Sequence, residues 1–136
     1  LSSYQLRGLT NKVNKLSCVI KDNSNSVVGS IRLWNIRIAG NNSRGLLLGP
    51  LAIHPIYQSE GLGEKLVLNG LEKARADKWN WVVLVGDFKY YSKFGFSKDP
   101  TIGISIGDGF DTERLLGLDI NGSFLEEAVG ILIKVN

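Results

Sequence analysis

The sequence contains no methionine, one cysteine and one histidine in 136 residues. A single cysteine cannot form an internal disulfide and no signal-peptide pattern is present, so we expect a cytoplasmic protein. Cys18 lies in an apolar run, where a thiol is far more often core packing than a nucleophile. The absence of methionine even at position 1 predicts that the chain begins inside a longer gene product or was processed.

Long apolar runs and long charge runs are also missing. No apolar run reaches the roughly 20 residues of a membrane span, and no run of five or more like charges is found. We therefore expect neither a membrane nor a nucleic-acid partner. The net charge of +3 would suit a ligand with several phosphates, but an ordinary solvated surface is the more frequent origin of such a mild bias. A hydrophobic content of 43% is typical of one globular domain.

What is present is a series of short periodic segments. Apolar and alternating runs predict strands over 16–21, 27–39, 45–54, 81–85, 115–120 and 130–135. Helices are predicted over 62–78 and 88–94, with a weak one over 4–13, whereas 99–111 is glycine-rich and irregular. The apolar side of the long helix is predicted to be Leu62, Leu66, Leu68, Leu71 and Ala74. Its two flanking strands should pair in parallel through a right-handed crossover.

The junction Gln58-Ser59-Glu60-Gly61-Leu62-Gly63 joins a buried strand to this helix. The first amides of a helix lack internal partners and carry partial positive charge, which suits an anion such as a diphosphate. Glycines there let a phosphate approach the backbone, although they could equally serve close packing of helix on sheet. The dinucleotide fingerprint needs an earlier glycine, and the P-loop needs Gly-Lys-Ser/Thr where this chain has Gly63-Glu64-Lys65. Both of those phosphate motifs therefore fail.

Two segments carry a family resemblance. Residues 51–63, Leu-Ala-Ile-His-Pro-Ile-Tyr-Gln-Ser-Glu-Gly-Leu-Gly, resemble the acetyl-coenzyme A motif of the GCN5-related N-acetyltransferase (GNAT) family. Residues 90–96, Tyr-Tyr-Ser-Lys-Phe-Gly-Phe, resemble its second landmark, Phe/Tyr-Tyr-x-x-x-Gly-Phe, and the runs 82–87 and 49–51 are similar to a bacterial subgroup of predicted N-acetyltransferases. The resemblance implies a mixed α/β (α+β) fold of the GNAT acyl-CoA N-acyltransferase type. Its central mixed sheet would be splayed at the cofactor and carry helices on both faces.

The resemblance implies an N-acetyltransferase that moves an acetyl group from acetyl-CoA to an amine of an acceptor, by direct attack in a ternary complex and without a metal. Amides of 59–64 would hold the pyrophosphate, the backbone of 51–53 would pair with the pantetheine arm, and an amide there would polarise the thioester carbonyl. Tyr91 would protonate the leaving thiolate, or would pack beneath the cofactor. The implied cofactor-binding residues are Leu51, Ala52, Ile53, Gln58, Ser59, Glu60, Gly61, Leu62, Gly63 and Glu64.

The chain departs from the family pattern in two ways. Many members carry a glutamate base on the strand before the loop, but Leu46-Leu47-Leu48-Gly49 has no carboxylate, so a base would lie elsewhere or act through water. His54 is a base candidate, although a histidine before a proline is more often a cap or a surface residue. Few residues precede the first predicted strand, so 1–136 is expected to be a single domain lacking the family's first strand and helix. A non-catalytic acyl-CoA-binding module remains an alternative, and the resemblance allows a homodimer.

Overall fold

A mixed sheet forms the centre of the molecule. The structure, a computed structural model, describes residues 5–8, 16–107, 112–125 and 127–135. The strands of these ranges are β1 (Gln5–Gly8), β2 (Cys18–Lys21), β3 (Val27–Ile38), β4 (Gly45–Ile53), β5 (Trp81–Val85), β6 (Ile104–Ser105), β7 (Leu115–Asp119) and β8 (Gly130–Lys134). The helices are α1 (Leu62–Ala76) and the short α2 (Phe88–Tyr91).

The strand order places β4 and β5 at the middle of the sheet. Strands follow the order β1-β2-β3-β4-β5-β7, and β8 pairs with β3 and with β6. Neighbouring strands along the main order are antiparallel except for β4 and β5, which are parallel and are joined through α1. A parallel pair needs such a crossover, because its two strands must start at the same edge of the sheet.

Each face of the sheet carries its own core. The pleat of β5 sends Val82 and Leu84 to the face covered by α1, and sends Trp81 and Val83 to the opposite face. The first face also buries Leu62, Leu66, Val67, Leu71 and Ala74 of α1. The second face is completed by Ile36, Ile38, Ile104, Leu115, Leu125 and Ala128. These two layers explain why β5 is a continuous apolar run rather than an alternating one.

The predicted mixed α/β class is confirmed, with one difference in how the second face is covered. Within the described residues, both α-helices pack on the first face. The second face is covered instead by a 3₁₀ turn at Asp99–Thr101 and by the segments around Ile104 and Leu125. Thr101 secures this cover, because its hydroxyl donates to the carbonyl of Leu115 at 2.8 Å.

Most predicted elements are found within one or two residues of their predicted ends, and two details are wrong. Residues 5–8, predicted as part of a weak helix, form strand β1. Pairing with the edge of β2 stabilises this strand, whereas a short isolated helix is only marginally stable in water. The rest of that predicted helix lies outside the described residues. Leu68, predicted on the apolar side of α1, is 51% exposed, since it lies two residues and roughly 200° beyond the buried Leu66.

Candidate functional site

The parallel pair β4–β5 opens into a gap. Pairing covers only Gly45 with Trp81, Leu46 with Val82 and Leu47 with Val83, although β4 continues to Ile53. The strands part where β4 carries an irregularity, at the cis Gly49–Pro50 peptide opposite Arg32. The expected splay of the sheet is therefore present, and among the described strands none pairs with the second half of β4 on its β5 side.

The open edge of β4 presents the backbone of Leu51 and Ile53. The amide of His54 donates to the carbonyl of Val28 on β3 at 2.8 Å. Backbone groups alternate in direction along a strand, so Ala52 also faces β3, whereas Leu51 and Ile53 face the gap. A hydrogen bond supports this direction, since the carbonyl of Ile53 accepts from the side-chain amide of Gln58 at 3.4 Å. An extended ligand could pair with this edge as an added strand.

A sharp turn leads from β4 into α1. Residues Pro55–Glu60 form a 3₁₀ helix that ends at Gly61, whose φ of 74° and ψ of 16° are left-handed. A right-handed residue followed by a left-handed one turns successive amides toward a common point, which is an anion-binding arrangement. The intrahelical bonds of α1 begin with Lys65 donating to the Gly61 carbonyl at 3.2 Å. The amides of 62–64 therefore precede the first intrahelical bond and point out of the helix start.

A pocket of about 420 Å³ joins the open edge to this helix start. It is lined by Leu51, Ile53, Gln58, Ser59, Gly61, Gly63, Glu64, Tyr90 and Lys93. The apolar part comes from β4 and the anion-binding part comes from the turn. The pocket thus suits a ligand that has an extended arm at one end and a phosphate-like group at the other.

Seven of the ten residues predicted to bind a cofactor line this pocket, and three do not. Ala52 lines a separate groove of about 240 Å³ that also includes Ser30 and His54. Glu60 is exposed outside the pocket wall, and the side chain of Leu62 is buried in the core. Leu62 can therefore contribute only its backbone to the turn.

Tyr91, the predicted acid, packs at the end of β5 and does not line the pocket. Its ring contacts Phe96 edge-on at 6.0 Å between centroids, and a Cβ at Gly86 would lie 2.7 Å from its Cε2 atom. The Tyr91 hydroxyl makes no hydrogen bond to the part of the chain that the structure describes. Burial, with a smaller effect from Tyr90, raises the pKa of Tyr91 above the usual phenol value. The group is therefore fully protonated at neutral pH.

Tyr90 and Lys93 line the pocket but were not among the predicted site residues. The Tyr90 hydroxyl lies 2.8 Å from the position of a Cβ on Gly63, directly over the helix start. Lys93 Nζ lies 4.3 Å from the centre of the Tyr90 ring and 3.9 Å from Glu64 Oε2. A spacing of three residues puts Tyr90 and Lys93 on one side of their helical segment, and that spacing is the sequence feature that could have identified them.

His54 caps the turn, one of the roles predicted for a histidine before a proline. Its Nδ1 atom accepts from the amide of Ile56 at 3.3 Å, at the N-terminus of the 3₁₀ helix. The ring is exposed and meets Tyr57 edge-on at 5.9 Å. A nitrogen that accepts a backbone hydrogen bond is not available on that side as a base. Cys18 is fully buried in the first core, as expected for packing.

The described ranges contain neither a metal-binding cluster nor a membrane-spanning helix. Among those residues, no group of three or more histidine, cysteine, aspartate or glutamate side chains is arranged to hold a metal ion. No helix in the same ranges has the length and apolar character needed to cross a membrane.

Comparisons with known proteins agree on one family. The model of the acetyltransferase (GNAT) domain matches residues 14–98. The Escherichia coli K12 protein YhbS, an uncharacterized N-acetyltransferase, is 31% identical over 81 residues, which are 60% of this chain and 48% of the relative. The chain thus spans about half the length of the curated relatives it matches.

Solved structures show the same fold. The GNAT family N-acetyltransferase YhbS from Escherichia coli in complex with CoA aligns with a TM-score of 0.79 and 22% identity, covering 88% of this chain and 66% of that one. A GNAT family acetyltransferase from Brucella melitensis in complex with acetyl-CoA aligns with a TM-score of 0.68 and 26% identity, covering 88% and 65%.

Proposed function

The chain belongs to the GNAT acetyltransferase family, and on this basis we propose that it transfers an acetyl group from acetyl-CoA to an amine of an acceptor. The observation that carries the proposal is the gap between β4 and β5, which opens beside a helix start with outward-pointing amides. The relatives from Escherichia coli and Brucella melitensis, in complex with CoA and acetyl-CoA, support this assignment of the co-substrate.

The pyrophosphate of acetyl-CoA would lie against the turn that ends at Gly61. The left-handed Gly61 directs successive amides to one point, and Gly63 has no side chain to obstruct it. The dipole of the 15-residue helix α1 adds partial positive charge at the same place. We assign the amides of 62–64, which point out of the helix start, to the two phosphates, with Gln58 and Ser59 at the rim of the pocket.

The pantetheine arm would follow the open edge of β4. Its two amide groups would pair with the backbone of Leu51 and Ile53, which face the gap. Of the predicted strand residues, Ala52 would take no part through its backbone, because that backbone faces β3. The side chains of Leu51 and Ile53 line the pocket and would cover the apolar stretches of the arm.

The acyl transfer would proceed by direct attack in a ternary complex. The acceptor amine would attack the thioester carbonyl at the gap, where a β4 amide would polarise the carbonyl oxygen. Collapse of the tetrahedral adduct breaks the carbon–sulfur bond, and Tyr91 would give its proton to the departing thiolate. Along Leu46–Gly49 there is no carboxylate to take the amine proton, so we assign that step to water. Holding the two substrates together would supply much of the rate.

A non-catalytic acyl-CoA-binding module is the second candidate, and the missing carboxylate on β4 favours it. A thiol-release assay with acetyl-CoA and a panel of amines separates the two functions. Release with at least one amine supports the transferase, whereas CoA binding by calorimetry without release from any amine supports the module. No heat and no thermal shift with CoA would refute both.

We also propose that the protein acts in the cytoplasm, because acetyl-CoA is a product of intracellular metabolism. Fractionation of cells that produce the full-length protein tests this location. Recovery of the protein only in the membrane or extracellular fraction would contradict it.

A further inference from the structure

The pocket contains a charge conflict that the family assignment does not resolve. Glu64 lines the same pocket as the helix-start amides, so its carboxylate would repel a bound diphosphate. Lys93 lies across the mouth with its Nζ atom 3.9 Å from Glu64 Oε2. The side chains of Lys93 and Glu64 are 45% and 51% exposed, so both can move.

We infer that Tyr90 and Lys93 form a side-chain wall of the diphosphate site, and that Lys93 exchanges its partner Glu64 for the diphosphate when the ligand binds. This inference rests on the proposed function, because it takes the ligand to be a coenzyme A ester. It adds two residues and an exchangeable ion pair to a site otherwise built from backbone amides.

The exchange is favourable because of the charges involved. A half-exposed ion pair between single charges is weak, so little opposes its opening. A diphosphate carries more negative charge than one carboxylate and offers Lys93 stronger, charge-assisted hydrogen bonds. Once Lys93 turns to the diphosphate, Glu64 is no longer held at the mouth and can move into solvent.

Tyr90 supplies the second part of the wall. Its hydroxyl lies 2.8 Å from the position that a Cβ on Gly63 would take, so it stands beside the outward-pointing amides of the helix start. Burial, and to a smaller extent Glu64, raises the pKa of Tyr90, which keeps the hydroxyl a donor at neutral pH. Lys93 Nζ lies 4.3 Å from the centre of the same ring, so the two side chains lie together on one wall of the pocket.

Calorimetric titration with CoA at low salt tests the inference. The variant Lys93→Gln should weaken CoA binding about five- to tenfold, the range expected for a partly exposed charge-assisted contact. The matched control is Lys89→Gln, which removes the same charge from the same helical segment at an exposed position outside the pocket. That control should bind CoA as the unchanged protein does.

Glu64→Gln provides a test of opposite sign that misfolding cannot imitate. Removing the repelling carboxylate should tighten CoA binding by about threefold or more at low salt. S-acetylpantetheine, which has no diphosphate, should bind the unchanged protein, Lys93→Gln and Glu64→Gln equally.

Two outcomes would overturn the inference: equal CoA affinity for Lys93→Gln and Lys89→Gln, or weaker binding by Glu64→Gln. Either result with intact CoA binding by the unchanged protein leaves the proposed function standing. Failure of the unchanged protein to bind CoA would instead refute the proposed function.

Discussion

Gly61 offers the sharpest test of the anion site, through the pair Gly61→Asp and Gly61→Asn. The two new side chains have nearly the same size, and both residue types tolerate the left-handed backbone that Gly61 adopts at φ 74°. A Cβ at this position meets no atom within 4 Å, so neither variant clashes. The comparison therefore isolates one negative charge at the pocket wall.

The expected size of the charge effect follows from Coulomb's law. A carboxylate about 4 Å from the nearest phosphate charge costs about 1 kcal/mol in a water-like surrounding and about 4 kcal/mol at the effective dielectric of a protein surface. Gly61 is exposed at the pocket rim, so we expect a value near the lower half of this range. Gly61→Asp should then bind CoA about fivefold to seventyfold more weakly than Gly61→Asn.

Stability should hardly distinguish the two variants. Both variants place a side chain on a left-handed backbone, which lowers the free energy of unfolding by about 1 kcal/mol. The melting temperature should fall by about 4 °C in each case. Calorimetry with CoA at 25 °C, in low and then in high salt, measures the affinity difference. The difference in CoA affinity between the two variants should be smaller in high salt, because salt screens the repulsion between the carboxylate and the phosphates.

Equal CoA affinities for Gly61→Asp and Gly61→Asn at low salt would refute the reasoning. In that case no phosphate charge lies near Gly61, and the left-handed turn serves only to join β4 to α1. S-acetylpantetheine is the ligand control, because a ligand without a diphosphate should not distinguish the two variants.

Four further predictions concern the acid and the core. Tyr91→Phe should lower the turnover number at least tenfold with little change in CoA affinity, measured by thiol release and calorimetry; full turnover would exclude Tyr91 as the acid. Because the pKa of Tyr91 is raised, turnover should hold up to about pH 10 and fall only above it as the phenol ionises; a fall beginning near pH 8 would contradict this. Gly45→Ala should destabilise the fold by about 1–3 kcal/mol in a denaturant titration, because its Cβ would overlap the buried Trp81 ring. Ser17→Ala should cost about 1–3 kcal/mol, since the Ser17 hydroxyl accepts from the buried amide of Leu33 at 2.9 Å; unchanged stability would show that water replaces the hydroxyl.

The strand–turn–helix junction shows how far local reasoning reaches. The predicted helix 62–78 and the observed Leu62–Ala76 begin at the same residue, because the periodic apolar positions start at Leu62, directly after the loop. The two glycines of the turn predict an anion site there from the sequence alone. The left-handed φ of Gly61 agrees with that prediction, since this backbone region favours glycine.

The pair Tyr90–Tyr91 shows where local reasoning stops. The family pattern singled out Tyr91, yet Tyr90 is the one that lines the pocket. Adjacent residues on a short helix point about 100° apart, so which of them reaches the pocket depends on how the segment sits against β5 and α1. Residues 5–8 are a similar case, because their strand exists through pairing with β2.

The sequence by itself determined the order of strands and helices around β4 and α1, the glycine turn between them and the family to which they belong. The element order and the turn depend on periodicity and turn chemistry within a few residues, and the family resemblance depends on the two short motifs 51–63 and 90–96. All three can therefore be read without the fold. Only the tertiary structure decided that β4 and β5 separate after three residue pairs. It also decided that Tyr90 and Lys93 line the same pocket as Glu64. Those features depend on contacts between segments far apart in the chain, whose geometry the packing of the whole sheet determines.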